Sequence, residues 1–143
     1  MAENMNNDLH LSDYRELAEF RYQIRRYIHF SEQMARSVGL EPQQHQLLLA
    51  IKGLPQQQKP TIGYLAERLQ IQHHSTVELV NRLVEREYVE RKRDTVDQRR
   101  VLVQLTLKGE DVLQRLAATM LAELSTTGPL LVQTLNKLIS QHG

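Results

Sequence analysis

The feature that most restricts the fold of this chain is a change of hydrophobic period near Tyr88. Upstream, apolar residues recur at helical steps: Ile62, Leu65, Ala66 and Leu69, then, after a few intervening residues, Val77, Val80, Leu83 and Val84. Downstream, residues 88–93 and 99–105 alternate β-branched with charged side chains (Val89, Arg91, Arg93; Val101, Val103, Leu105) on either side of the turn-forming Asp94 to Gln98. Steps of three and four place side chains on one helix face, whereas steps of two place them on one strand face. Two short helices joined this tightly predict a helix-turn-helix, and the segment after them predicts a β-hairpin.

The flanks are helical in pattern. Ser12 is an expected N-cap for a first helix carrying Leu17, Phe20, Ile24 and Ile28, which should end at Gly39, a residue suited to the left-handed position after a helix. Pro42 suits the first turn of a second helix, with Leu47, Leu48 and Ile51 buried before Gly53. Residues 55–60 read as a loop, and Thr61 as the cap of the short helix that follows. Ser75 or a neighbour should cap the next. Thr106 should cap a long helix bearing Val112, Leu113, Leu116, Ala117, Met120, Leu121 and Leu124. Gly128 and Pro129 predict a break, followed by a last helix with Leu131, Leu135, Leu138 and Ile139. The expected fold is thus mostly α with a small β-hairpin: a winged helix-turn-helix lobe over 42–105, with its recognition helix at about 74–86 and its wing at about 88–105. The helices of 12–39 and 106–143 flank it. Their apolar stripes exceed what so small a centre can cover, which predicts a homodimer formed through this helical dimerisation region.

Composition removes several functions. The absence of cysteine excludes disulfides, thiolate zinc sites and thiol chemistry. No phosphate-cradling glycine loop, nucleophile elbow or H-E-x-x-H motif occurs, so the chain is not expected to be an enzyme or to carry a cofactor. The longest apolar run, Leu47 to Ile51, is far too short to span a bilayer, and residues 1–10 lack a signal-peptide pattern. A cytoplasmic protein without a membrane partner is the expectation. With two Phe, five Tyr and no Trp, base-stacking platforms for single strands are also not expected.

The net charge is only +1, but residues 91–100 hold five basic side chains (Arg91, Lys92, Arg93, Arg99, Arg100) against two acidic ones (Asp94, Asp97). A basic hairpin tip behind a helix-turn-helix points to double-stranded DNA. With Val77, Val80 and Val84 inward, the recognition helix would present His73, His74, Ser75, Thr76, Glu78 and Asn81 to the major groove. Glu78 suits cytosine N4 and Asn81 suits adenine, while Ser75 or Thr76 suits phosphate at the helix N-terminus. Arg99 is expected in a minor groove, with Lys92, Arg93 and Arg100 on flanking phosphates. The candidate DNA-binding set is completed by Thr61 and Arg82. His73 and His74 diverge by roughly 100° and cannot share a metal, and no metal site is expected. His29 and His45 read as half-buried structural residues, and Arg15, Arg21, Arg25 and Arg26 as solvated or interfacial.

Residues 97–109, Asp-Gln-Arg-Arg-Val-Leu-Val-Gln-Leu-Thr-Leu-Lys-Gly, resemble the wing signature of the MarR family of bacterial transcriptional regulators, D-x-R-x-x-x-V-x-L-T-x-x-G, at every fixed position. Leu65 to Leu69, Ser75 to Val77 and Asn81 to Leu83 are similar to that family's helix-turn-helix, and Val89 to Arg91 to the approach to its wing. Two positions depart from the pattern: Glu87 stands where the family usually has Gly, and Asn81 where it commonly has Asp. The resemblance implies a homodimeric, sequence-specific regulator of a pseudo-palindromic promoter site, usually a repressor. It also implies a small aromatic or anionic effector held between the dimer region and the DNA-binding lobes. The competing expectation is a winged-helix module that binds a partner protein instead of DNA.

Overall fold

A computed structural model describes residues 8–142. The leader 1–7, most of the segment read above for an export signal, lies outside them. In chain order the elements are α1 (Leu11–Ser37), α2 (Pro42–Lys52), α3 (Ile62–Leu69), α4 (His73–Glu85), β1 (Val89–Arg93), β2 (Val101–Leu105) and α5 (Leu107–His142). The described residues form two compact units: Glu32–Thr119, and a terminal unit drawn from the residues up to Ser31 and those from Met120 on. The division falls inside α1 and α5 rather than at Gly39 and Thr106, so residues 32–39 and 106–119 group with the winged-helix unit.

That unit is built as its local signals dictate. Gly39 takes φ 84, and Leu40 N–H returns to the carbonyl of Ala35 at 2.9 Å, closing α1. Pro42 opens α2, and Oε1 of Gln44 accepts the N–H of Glu41 at 2.9 Å. Thr61 Oγ1 accepts Tyr64 N–H at 3.2 Å to cap α3, and Thr106 Oγ1 accepts Gly109 N–H at 3.1 Å to cap α5. β1 and β2 pair antiparallel with Val89 opposite Leu105 and Arg91 opposite Val103. Leu47 and Leu48, Leu65, Val80 and Leu83, Val89 and Val103 are each at most 2% exposed, so every element from α2 to β2 contributes to one core. Each such side chain contributes about 1.5–3 kcal/mol through its removal from water. Val112, Leu113 and Leu116 of α5 join the same cluster.

Three local expectations are corrected. α1 begins at Leu11, before Ser12, and its end is tied by Asp13, whose Oδ2 accepts His10 N–H at 2.7 Å. α4 begins at His73 with Gln72 as N-cap, leaving Ser75 inside the first turn. α5 does not break at residues 128–129; it continues to His142 with Pro129 inside it. Proline removes one helical donor at about 3 kcal/mol; Pro129 is exposed, while on its two flanks Met120 and Thr134 are buried, the latter bonded to Gln23.

In the terminal unit, Gln23 Nε2 donates to Thr134 Oγ1 at 3.1 Å, and His142 Nε2 lies 3.0 Å from Asp13 Oδ1. Many apolar side chains of this unit stay exposed, among them Tyr14, Leu17, Tyr22 and Ile28 of α1 and Leu121, Leu130, Val132, Leu135 and Ile139 of α5. Leu17, Ile28, Leu121, Leu135 and Ile139 of the apolar stripes are therefore not buried within the chain. Among the described residues no helix is long and apolar enough to cross a membrane.

Candidate nucleic-acid interface

The inward face of α4 decides what the helix can offer. Its buried residues are Thr76, Leu79, Val80 and Leu83, and Val77 and Val84 are only partly buried. At about 100° per residue, this places the core direction roughly 80° away from the one that Val77, Val80 and Val84 predict. The face opposite the core is then centred on His74, Asn81 and Glu85, with Glu78 beside them, and all four are exposed. His73 and Arg82 flank it, also exposed, while Ser75 is partly covered.

Thr76 is a correction. It is 0% exposed, and its hydroxyl donates to the carbonyl of Gln72 at 3.0 Å, so it is a buried first-turn residue that cannot reach phosphate. Thr61 is likewise occupied: its hydroxyl caps α3 and its backbone forms a bridge to Leu102 of β2. Glu85, which the sequence reading missed, lies on the outward face but in the last turn. With Glu85 the face carries two carboxylates, Glu78 and Glu85, which suit base edges rather than phosphates, and His74 and Asn81 are its residues without a negative charge.

The wing is held in a defined arrangement. Asp97 Oδ1 accepts both Nε of Arg99, at 3.2 Å, and its backbone N–H, at 3.1 Å. The Arg99 guanidinium, foremost, and then this N–H hold the Asp97 carboxyl below its ordinary range. Arg99 itself remains 91% exposed. Arg93 donates to the carbonyl of Gln98 at 2.9 Å, and Lys92 and Arg100 are exposed. Lys92, Arg93, Arg99 and Arg100 thus occupy one hairpin, as expected, and that hairpin follows α4 within the same unit.

Two contacts fix the hairpin. Arg91 of β1 donates to Oδ1 of Asn81, so the amide oxygen of Asn81 is engaged by the wing and its NH2 group is left over. Lys59 Nζ lies 2.9 Å from both oxygens of Asp94. Opposite charges on Lys59 and Asp94 were visible in the sequence, but nothing local pairs residues so far apart. The C-terminus of α4 keeps the turn that Gly usually serves: Glu87 adopts φ 64, with Tyr88 N–H on the carbonyl of Leu83 at 2.9 Å.

Of the histidines, His45 is 2% exposed and more deeply buried than expected, its Nδ1 without a hydrogen-bond partner, whereas His29 is exposed. Burial pushes the His45 imidazole pKa down. Arg15, Arg21, Arg25 and Arg26 are all exposed. Among the described residues no three His, Asp or Glu side chains come together as a metal site would require.

Residues 38–100 match the MarR family model. The fold is that of MarR winged-helix proteins. MepR, a transcription regulator of the Staphylococcus aureus multidrug efflux pump MepA, is 19% identical with a TM-score of 0.73, over 87% of this chain and 96% of its own. A MepR variant bound to an oligodeoxyribonucleotide is 19% identical with a TM-score of 0.67, over 95% of this chain and 100% of its own. AbsC, a MarR family transcriptional regulator from Streptomyces coelicolor, is 17% identical with a TM-score of 0.73, over 95% of this chain and 97% of its own. Among curated proteins no sequence match was found.

Proposed function

From a chain whose residues 38–100 match the MarR family and whose fold is that of its winged-helix proteins, we infer a sequence-specific transcriptional regulator that binds double-stranded DNA. The observation that carries this reading is the pairing, within one unit, of an exposed α4 face (His74, Glu78, Asn81) with a wing presenting Lys92, Arg93, Arg99 and Arg100. The helix suits the major groove and the wing the adjacent minor groove and phosphates. The oligonucleotide complex of the MepR variant supports DNA as the partner. In this reading His73, Ser75 and Arg82 meet backbone at the rim.

The regulator is proposed to act as a homodimer. The exposed apolar residues of α1 and α5 in the terminal unit form a surface that association would remove from water. Two copies of α4 related by a two-fold axis read a pseudo-palindrome with half-sites about one helical turn apart. Occupation of such a site in a promoter represses transcription. A small aromatic or anionic effector that binds the DNA-incompetent spacing better than the competent one releases it, each ~1.4 kcal/mol of preference lowering DNA affinity about tenfold.

Selection from random duplex DNA, followed by titration of the winner across a salt series, tests the proposal. The expected result is a two-fold-related motif and a log-log slope of about −0.9 per phosphate neutralised. Recovery of no motif, with weak binding throughout, overturns it in favour of a protein partner.

A further inference from the structure

Asp94 is the first residue after β1, and its carboxylate, 2% exposed, is held between two parts of the winged-helix unit. On one side it accepts the N–H of Val96 at 3.0 Å, and its own N–H donates to the carbonyl of Arg100 at 2.9 Å, so this one residue closes the wing turn at both ends. On the other side both its oxygens lie 2.9 Å from Nζ of Lys59. Lys59 comes from the loop before α3, which is itself laid along β2: Val103 N–H donates to the carbonyl of Pro60 at 2.9 Å, and Thr61 bridges Leu102. The Lys59 charge is committed to Asp94 while Arg99, a few residues on, projects 91% into solvent.

Resting on the DNA-binding reading above, we propose that Lys59 is a positioning residue for DNA binding: by pairing with the buried Asp94 carboxylate it holds the wing turn in the arrangement that projects Arg99. Without the lysine, a nearly buried carboxylate is left without its cation, and residues 94–100 must shift to hydrate it. A turn that samples several arrangements then loses binding free energy when DNA selects one. The Lys59 ammonium, foremost, and then the Val96 N–H hold the Asp94 carboxyl below its ordinary range.

The test is a mutant cycle read by titration of the full chain against its selected duplex. Lys59→Met is expected to weaken binding about tenfold, close to the effect of Arg99→Ala, and adding it to Arg99→Ala is expected to cost under about twofold more. The salt slope of the Arg99→Ala protein should stay unchanged on adding Lys59→Met. Multiplying effects, or a further drop in slope of about 0.9, means that Lys59 meets phosphate itself and overturns the proposal. Asp94→Asn keeps an acceptor for Val96 but not the charge; it is expected to reproduce Lys59→Met, and normal binding by it also overturns the proposal. If Lys59→Met does not fold, Lys59→Gln and Asp94→Asn carry the same comparisons. A wild-type protein that binds no duplex removes the DNA-binding reading, an outcome distinct from normal wild-type binding left unaffected by Lys59→Met.

Discussion

The guanidinium of Arg91, on β1, donates to Oδ1 of Asn81 on α4, joining helix and hairpin directly. An aspartate at residue 81 would make this an ion pair, worth about 0–1 kcal/mol at an exposed position. It would also place a negative charge on the outward face. Asn81→Asp is therefore expected to leave the melting temperature equal or slightly higher while weakening DNA binding several-fold. A variant that binds more tightly would show that the face does not approach phosphate.

Arg99 and Glu78 are expected to fail in different ways. Arg99→Ala should weaken binding to all sites and reduce the salt slope by about 0.9, as loss of one cationic contact does. Glu78→Ala should change the preferred base at one position in an unbiased selection and leave the others as they were. Identical selected motifs for Glu78→Ala and wild type would exclude base reading by this residue.

Glu87 occupies the left-handed region at φ 64, where a Cβ costs about 1–2 kcal/mol. Glycine loses part of that advantage to the entropy of its unfolded chain. Glu87→Gly should stabilise by about 0.5–1 kcal/mol and raise the melting temperature by about 2–4 °C. Glu87→Ala keeps the Cβ and should not, which calorimetry of the pair would reveal.

Two glycines of α5 predict opposite signs. A Cβ on Gly109 would lie 2.1 Å from the carbonyl oxygen of Tyr88, so Gly109→Ala must push α5 away from the α4–β1 turn, at a cost of about 1–3 kcal/mol or more. A Cβ on Gly128 meets nothing within 4 Å, and Gly128→Ala should stabilise the helix by up to about 1 kcal/mol. Denaturant midpoints measured side by side would separate them; equal shifts would contradict the packing at residue 109.

His45 makes stability depend on pH in a known direction. Burial lowers its folded-state pKa below the ordinary 6.5, so the unfolded chain binds the proton more readily. The protonation-linked penalty is absent above pH about 6.5, and stability falls as pH drops through that value towards the lower folded-state pKa. His45→Leu should flatten the profile of unfolding free energy between about pH 7 and 5. Parallel profiles for the two proteins would mean that His45 is not what titrates.

The order of elements, the hairpin with its basic tip, and the ends of helices at Gly39, Pro42, Thr61 and Thr106 follow from sequence alone. Each depends on a residue and its neighbours a few positions away: a fixed φ, a hydroxyl reaching a nearby N–H, a period of two or of nearly four. The basic wing residues were legible for the same reason, because exposure of Lys92, Arg93, Arg99 and Arg100 needs no partner. Tertiary structure decided the rest. The rotation of α4 is set by Leu79 and Leu83 packing into the common core, which turned Thr76 inward and brought Glu85 out; periodicity gives the stripe of a helix but not its centre to within a residue. α5 persists through Pro129, and beyond it Thr134 meets Gln23 of α1, a contact that no local pattern marks. Lys59 with Asp94 and Asn81 with Arg91 are pairs that only folding brings together, since a charge or an amide carries no local signal of which distant group will satisfy it once water has been excluded.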